Sequence, residues 1–387
     1  MKIKRISILL CAALMLSSLP VFADEAQNAN APEVKTLENK AAAKTYTLSL
    51  ADAIKMAQEK STELAALNVT EKTTEYALKI AKQNKVKAQG ARVVLPAGIN
   101  MVLVQDGYIV MQKENELNLI KVQREQINSK IAYSVTEKYY NCILMQNLLN
   151  SAKDTYNLAV ENKNKVDGML EAGIITQIEA DNAALAVYQT QLAVENYERQ
   201  LALVTDTLKI ALELSDEDFN NAKIVLTDNV VYEDFSADVL KDAESAKENR
   251  YDMQSLKGGV NLMEAYVEVI GRHLGSKSTT YTDATDDLAN LNYNFSNAKK
   301  QIGVAIKSQY SNVLAAKGNI KAAQMAAEVS QKQYDAAKLR FDLGMITNID
   351  LTDSLNKLQE SEIALEQAKI NYKLAVEKYK YEVKIGL

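Results

Sequence analysis

Apolar positions recur at helical spacing over nearly all of the chain beyond residue 46. Ala53, Ala57, Leu64, Leu67, Ala77 and Ile80 fall near one helical face. The spacing predicts a helix opening at Thr47-Leu48-Ser49-Leu50-Ala51-Asp52, capped by Ser49 or Thr47, and running to about Lys87. Residues 92–112 break this pattern. Val93-Val94-Leu95 and Met101-Val102-Leu103-Val104 precede Asp106-Gly107, and Tyr108-Ile109-Val110-Met111 follows it. β-Branched runs on either side of Asp-Gly predict a short β-hairpin over 93–111, with an apolar loop under neighbouring helices as the other reading.

Helical periodicity resumes from about Lys113 to Glu171, turns at Ala172-Gly173, and returns from Thr176 to Leu214 with Ala180, Ala183, Ala184, Ala186, Leu192 and Ala193 along it. Small residues at that density let helices approach closely. The stretch 215–236 is polar and reads as a linker. A helix from Ser236 or Asp238 to about Ile270 follows, then the Gly/Ser/Thr-rich stretch from Gly271, a helix from about Asp286 to Leu343, the turn at Gly344, and a last helix to the end. Each of the two longest helices, at about 60 residues, would span about 90 Å.

The two halves repeat one plan. Gly173-Ile174-Ile175-Thr176-Gln177-Ile178-Glu179 reads nearly as Gly344-Met345-Ile346-Thr347-Asn348-Ile349-Asp350, an offset of 171 that also aligns Tyr139 with Tyr310 and Ala152 with Ala323. The opening helices align better at an offset of 189, with Ser61-Thr62-Glu63-Leu64 against Arg250-Tyr251-Asp252-Met253. The two offsets differ by 18, so the first half carries about 18 extra residues, and they fall in the apolar stretch around 93–111. A glycine turn between long antiparallel helices, present twice, is a duplicated helical hairpin.

Composition sharpens this picture. Pro20, Pro32 and Pro96 are the only prolines, as uninterrupted long helices require. The net charge of −5 gives no basic footprint for nucleic acid. Lys2, Lys4 and Arg5, the apolar run Ile6–Leu19 and Val21-Phe22-Ala23 have the order of a secretory signal over residues 1–23, with a polar lead-in over 24–45. Removal of the signal takes Cys11 with it, leaving Cys142 without an intrachain disulfide partner. Cys142 among Tyr139, Tyr140, Ile143 and Leu144 reads as core, and His273 beside Arg272 as a surface loop residue without ligand partners. Gly258-Gly259 inside a helical pattern marks a kink or close packing. No phosphate loop, nucleophile elbow or metal motif is present, so an enzyme is not expected and no cofactor is implied.

One chain has too few long helices to enclose a core of that length, and two equivalent hairpins favour a symmetric ring of several chains. The fold expected is mainly α: tandem long antiparallel hairpins forming an oligomeric α-barrel, with residues 46–214 and 237–387 as its repeats. A long exported helical barrel is a conduit or a spacer. Strict heptads would instead mark a structural coiled-coil envelope protein, against which the abundance of Ala argues. An adaptor protein would need β-rich domains after its hairpin, and this chain ends in helix.

The residues also resemble a known family, the TolC-like outer-membrane efflux proteins. Leu48-Ser49-Leu50-Ala51-Asp52-Ala53-Ile54 with Ala57 resembles its opening signature, and Arg340-Phe341 followed by Gly344, Thr347, Asp350 and Asp353 resembles its second hairpin turn. The resemblance covers about residues 46–387 and implies a homotrimer whose long helices form a tunnel. It implies an efflux duct that docks a periplasmic adaptor, itself joined to an inner-membrane pump, through Gly173, Ile175, Thr176, Arg340, Gly344, Ile346 and Thr347. It also implies that Glu179, Asp350 and Asp353 are acids at the narrow pore entrance, where negative charge would favour cations. Helix capping explains Glu179 and Asp350 equally well. The chain departs from the family at two places. Only 93–111 could supply membrane strands, so outer-membrane insertion would rest on that segment, and a cell-wall location is the expectation for a source cell with a single membrane. And Phe341 and Ile346 stand where the family often has Tyr and Arg locking the closed tip.

Overall fold

The computed structural model describes residues 44–95, 98–228 and 233–386; the expected signal segment and most of the lead-in lie outside them. Strand β1 (Thr45–Leu48) leads into α1 (Leu50–Lys60), α2 (Thr62–Ala88), α3 (Ile99–Asp106), α4 (Tyr108–Glu171) and α5 (Gln177–Ala211). A short helix α6 (Asp216–Asn221) and strand β2 (Lys223–Leu226) follow, then α7 (Val239–Asn249), α8 (Tyr251–Leu274), α9 (Thr279–Asp342) and α10 (Asn348–Lys384).

Ser49 starts α1, as expected, in a reciprocal cap. Its hydroxyl accepts from the Asp52 amide (3.2 Å), and the Asp52 carboxylate accepts from Ser49. The expected single opening helix is two, however. Ser61 adopts φ −57°, ψ 117° and ends α1, and its hydroxyl caps α2 through the Leu64 amide (3.3 Å). Arg250 makes the same break between α7 and α8. These two residues are 189 apart, the offset read from the sequence, and each follows an 11-residue helix.

The duplication holds through the long hairpins. Helices α4 and α9 are both 64 residues, about 96 Å at the helical rise, and start 171 residues apart, at Tyr108 and Thr279. The extra residues of the first half are accounted for by α2, three residues longer than α8 (27 against 24), and by the 19 residues between α2 and α4 where α8 and α9 are joined by four.

The described residues of this segment do not form the expected β-hairpin. Asp106-Gly107 joins two helices: Gly107, at φ +90°, ends α3 and begins α4. A glycine with positive φ serves a helix junction as readily as a hairpin turn, and short apolar runs do not distinguish strand from helix by themselves. The burial of Val102 and Leu103 against Val269, with the Tyr108 and Tyr266 rings in tilted contact beside them at 5.6 Å, decides for helix. The Gly/Ser/Thr stretch after Gly271 is likewise mostly helical, since α8 runs to Leu274 and α9 starts at Thr279.

The stretch expected to be a polar linker carries α6 and β2. β2 pairs in parallel with β1, Thr45 opposite Lys223 and Leu48 opposite Leu226. Tyr139 of α4 ties this small sheet to the helices. Its hydroxyl donates to the Leu48 carbonyl (3.0 Å) and lies 3.1 Å from Asp228, whose carboxylate accepts the Leu50 amide (2.6 Å). Leu208, Leu212, Cys142 and Ala53 close the core around it. The second half repeats this core with Met253, Ile306, Tyr372 and Tyr379. The halves meet along α4 and α8, where Gly258 packs so closely on Asn115 that a Cβ there would lie 2.3 Å from its carbonyl oxygen.

Candidate functional site

The sequence-predicted site residues gather at the two turns, α4–α5 and α9–α10, and a shared apolar cluster holds the turns together. Val166, Ala180 and Ala183 of the first hairpin pack with Tyr334, Ala337, Phe341, Leu351 and Leu355 of the second, and Ile175 and Ile346 pack beside them, half-buried.

Each turn is built the same way. Gly173 and Gly344 both sit at φ +69°. The Gly173 amide donates to the Leu170 carbonyl and the Ile174 amide to the Met169 carbonyl, both at 2.9 Å; the Gly344 amide to Phe341 and the Met345 amide to Arg340, both at 2.8 Å. These paired bonds satisfy the last carbonyls of the descending helix and reverse the chain. The ascending helix is capped at once. The Thr176 amide donates to the Glu179 carboxylate (2.8 Å) and its hydroxyl donates to the same oxygen (3.0 Å). Thr347 repeats this on Asp350 (3.0 and 2.7 Å), and the Asp350 amide donates back to the Thr347 hydroxyl (3.3 Å).

The acids therefore divide. Glu179 and Asp350 are capping residues by geometry. The Thr347 hydroxyl, then its amide, then the Arg340 charge hold the Asp350 carboxyl below the usual carboxylate range. Asp353 stands one turn further on, exposed. Around the caps the turns present apolar side chains to solvent in matched positions, Ile174 and Ile178 on one turn and Met345 and Ile349 on the other, between 50% and 71% exposed. Phe341 is buried and Ile346 half-buried, so at these positions the two hairpins are joined by apolar packing.

One joining element escaped sequence reasoning. Asn348, directly after the Thr347 cap, is buried, and the Asn162 side-chain amide of α4 donates to its side-chain oxygen Oδ1. The Asn162 side-chain Oδ1 and the Asn348 side-chain Nδ2 have no partner. The signal available was a mismatch between the repeats. The equivalent of Asn348 is Gln177, which is exposed and bonds Asp181 within its own helix. Lys165 of α4 and Asp342 of α9 add a half-exposed ion pair (3.8 Å) between the hairpins. Above the turns an open groove of ≈ 610 Å³ runs between α4 and α10, lined by Ser151, Thr155, Tyr334, Leu355, Leu358 and Glu362 among others.

Two residues outside the turns were also singled out in the sequence. Cys142 is buried, its thiol within 3.3 Å of the Val204 carbonyl, and burial pushes it up to about 12. His273 is not a loop residue. It lies on α8, and its Nε2 is 3.0 Å from the Asp106 carboxylate, which Arg272 also meets at 3.3 Å. This partner is 167 residues away in the chain, beyond the reach of spacing arguments. Among the described residues no group of histidine, cysteine and acidic side chains could hold a metal ion, and no helix is long and apolar enough to cross a membrane.

Duplicated long hairpins, capped glycine turns and a small sheet define a class of fold. No protein-family model and no curated protein matches the sequence. Solved structures do. The chain superposes on the channel CusC with a TM-score of 0.70 at 10% identity, over 87% of this chain and 92% of that one. It superposes on the outer-membrane protein VceC of Vibrio cholerae with a TM-score of 0.66 at 10% identity, over 87% and 97%. The outer-membrane channel CmeC of Campylobacter jejuni gives 0.63 at 12% identity, over 87% and 86%. The fold is that of the TolC-like outer-membrane channels.

Proposed function

We propose that this chain is the duct of an export system of the cell envelope: an exported protein that assembles as a homotrimeric helical tunnel, located at the outer membrane. Its turns dock a periplasmic adaptor, which couples the tunnel to an inner-membrane pump. The observation that carries this reading is the pair of capped glycine turns, fixed side by side by one apolar cluster and each presenting two solvent-facing apolar residues. Exposed apolar groups on a rigid, polar-rimmed support suit a protein partner. The solved channels of the same fold support the duct, and the signal-like N-terminus supports export. Faces of the long helices also await a neighbour: Val304, Leu314, Met325 and Val329 of α9 and Leu185, Tyr188 and Leu203 of α5 are exposed. A ring of copies would cover them.

In this reading Gly173, Gly344, Thr176 and Thr347 shape the docking knuckles, Ile175 and Ile346 anchor them to the shared cluster, and Arg340 flanks the second. Asp353, free of capping, contributes the negative charge that faces passing solute, with Glu179 and Asp350 behind it. The test is deletion in the source cells, complemented by the native chain or by Ile174→Glu with Met345→Glu. Accumulation of a fluorescent export substrate and chemical cross-linking of the chain to envelope proteins would be followed. Deletion should raise accumulation, and only the native chain should restore export and form a cross-linked complex. No change in accumulation on deletion, with no complex formed by the native chain, would overturn the proposal.

A further inference from the structure

The end of the chain opposite the turns carries a different pattern. The thirty residues from Tyr76 to Gln105 include Lys79, Lys82, Lys85, Lys87 and Arg92 and no acidic residue, in a chain whose net charge is −5. The last thirteen of them, from Val93, carry no charge at all. In the structure the four lysines stand on the upper part of α2 with Arg92 just beyond its end, and the described residues of the uncharged run include most of α3. α3 is pinned on one side by Val102 and Leu103 against Val269. On the other side it leaves Val94 (76%) and Met101 (44%) open, next to Val86 (68%) near the end of α2. The acids flanking this region are occupied: Asp106 by Arg272 and His273, Glu114 by Lys82. Among the described residues Lys79, Lys87 and Arg92 have no acidic partner. The other exposed acids at this end are Glu75, one turn below Lys79 on α2, Glu264 and Glu268 on α8, the latter 3.7 Å from Arg272, and Asp283, Asp286 and Asp287 on α9; α2 packs on α4 and α4 on α8, so α4 stands between α2 and the acids of α8 and α9.

An apolar tip above an unopposed basic collar is the arrangement that seats on an anionic bilayer surface, the apolar groups entering the headgroup boundary and the cations meeting phosphate. We propose that α3 and the upper turns of α2 form an interfacial contact for an anionic lipid surface, resting on it without spanning it. The proposal depends on the reading of the chain as an envelope duct, and gives that duct a foothold made of helix. The alternative occupant, a neighbouring copy of the chain, would need the collar for assembly.

The test is flotation of the full chain with phosphatidylcholine vesicles, with and without phosphatidylglycerol, in low and high salt. The variants are Lys79→Glu with Lys87→Glu and Arg92→Glu, the corresponding glutamine set, and Val94→Ser with Met101→Ser. Circular dichroism verifies the helix content of each, and native mass reports assembly. Binding should require the anionic lipid and fall with salt. It should weaken roughly a hundredfold when the three cations are reversed, less in the glutamine set, with native mass unchanged. The serine pair should weaken binding to the anionic vesicles by about tenfold. Equal binding to both vesicle types, or a charge set that lowers native mass without moving vesicle binding, would overturn the proposal. Either result leaves docking at the turns untouched, so the two readings fail separately.

Discussion

Asn162 on α4 donates its side-chain amide to the side-chain oxygen Oδ1 of Asn348 at the start of α10, and this bond joins the two hairpins directly behind the turns. Each asparagine keeps one further polar atom out of solvent without a partner. Such a half-satisfied pair contributes less to stability than its burial costs, but breaking it on one side costs more still. Asn162→Leu should therefore destabilise the chain by about 1–3 kcal/mol in urea unfolding, by leaving Asn348 alone. Asn162→Leu with Asn348→Leu should recover most of that loss. Additive losses in the double variant would show that the pair does not act as a unit.

The two turn glycines should respond equally. Nothing lies within 4 Å of a Cβ built at Gly173 or Gly344, and both have φ +69°. Alanine there meets only the left-handed conformational penalty, about 1–2 kcal/mol at each turn. Asparagine, which tolerates that conformation, should cost less. Chemical unfolding of Gly173→Ala, Gly344→Ala and their asparagine counterparts checks both the equality and the order.

Asp350 gives a pH signature. Its folded carboxyl is depressed below the ordinary value of 3.8, so its capping contribution is fully present above that value and lost as pH falls through the folded one. The stability difference between the native chain and Asp350→Ala should be constant from neutral pH down to about 4 and vanish in stronger acid. A difference that persists unchanged through the acid range would mean that the carboxylate is not what caps α10.

Asp353 separates capping from passage. It is exposed and outside the cap. Asp353→Asn should leave unfolding unchanged within about 0.5 kcal/mol, as surface substitutions do. It should lower export of a cationic dye relative to an anionic one, while Asp350→Ala should lower both stability and that ratio. An unchanged dye ratio in both variants would confine Asp350 to capping and give Asp353 no part in passage.

Tyr139 is the joint of the first half, bonded to Leu48 and Asp228 from a fully buried ring. Tyr139→Phe keeps the ring and removes the hydroxyl, so the Leu48 carbonyl is left to its Thr227 donors, the half-buried Asp228 carboxylate loses a close hydroxyl, and the Asp228 amide loses its acceptor. The expected cost is about 1–3 kcal/mol. Hydrogen exchange should show it first at the Leu50 amide, which Asp228 receives.

The duplication, the long helices, the glycine turns and the caps were legible in the sequence, because each is set by neighbours in the chain. Gly173 and Gly344 supply left-handed backbone, Thr176 and Thr347 supply caps, and the absence of proline after Pro96 leaves α4 and α9 uninterrupted. Other features depended on residues far apart. Met101–Val104 and Tyr108–Met111 carry the local signature of strands, yet Val269 and Tyr266 of α8 offer a helix-shaped surface, and burial there outweighs β propensity. The breaks at Ser61 and Arg250 follow from what they meet. Glu213 receives the Thr62 amide (3.0 Å), and Arg250 is bound between Asp252 and Glu382. The β1–β2 pairing, the His273–Asp106 contact and the Asn162–Asn348 bond span more than 160 residues each. Sequence by itself determined where this chain turns and how its helices begin and end, since those are local hydrogen-bond requirements. Only the tertiary structure decided which faces are buried and which distant polar groups are joined, because burial and distant partners come into being when the chain has packed.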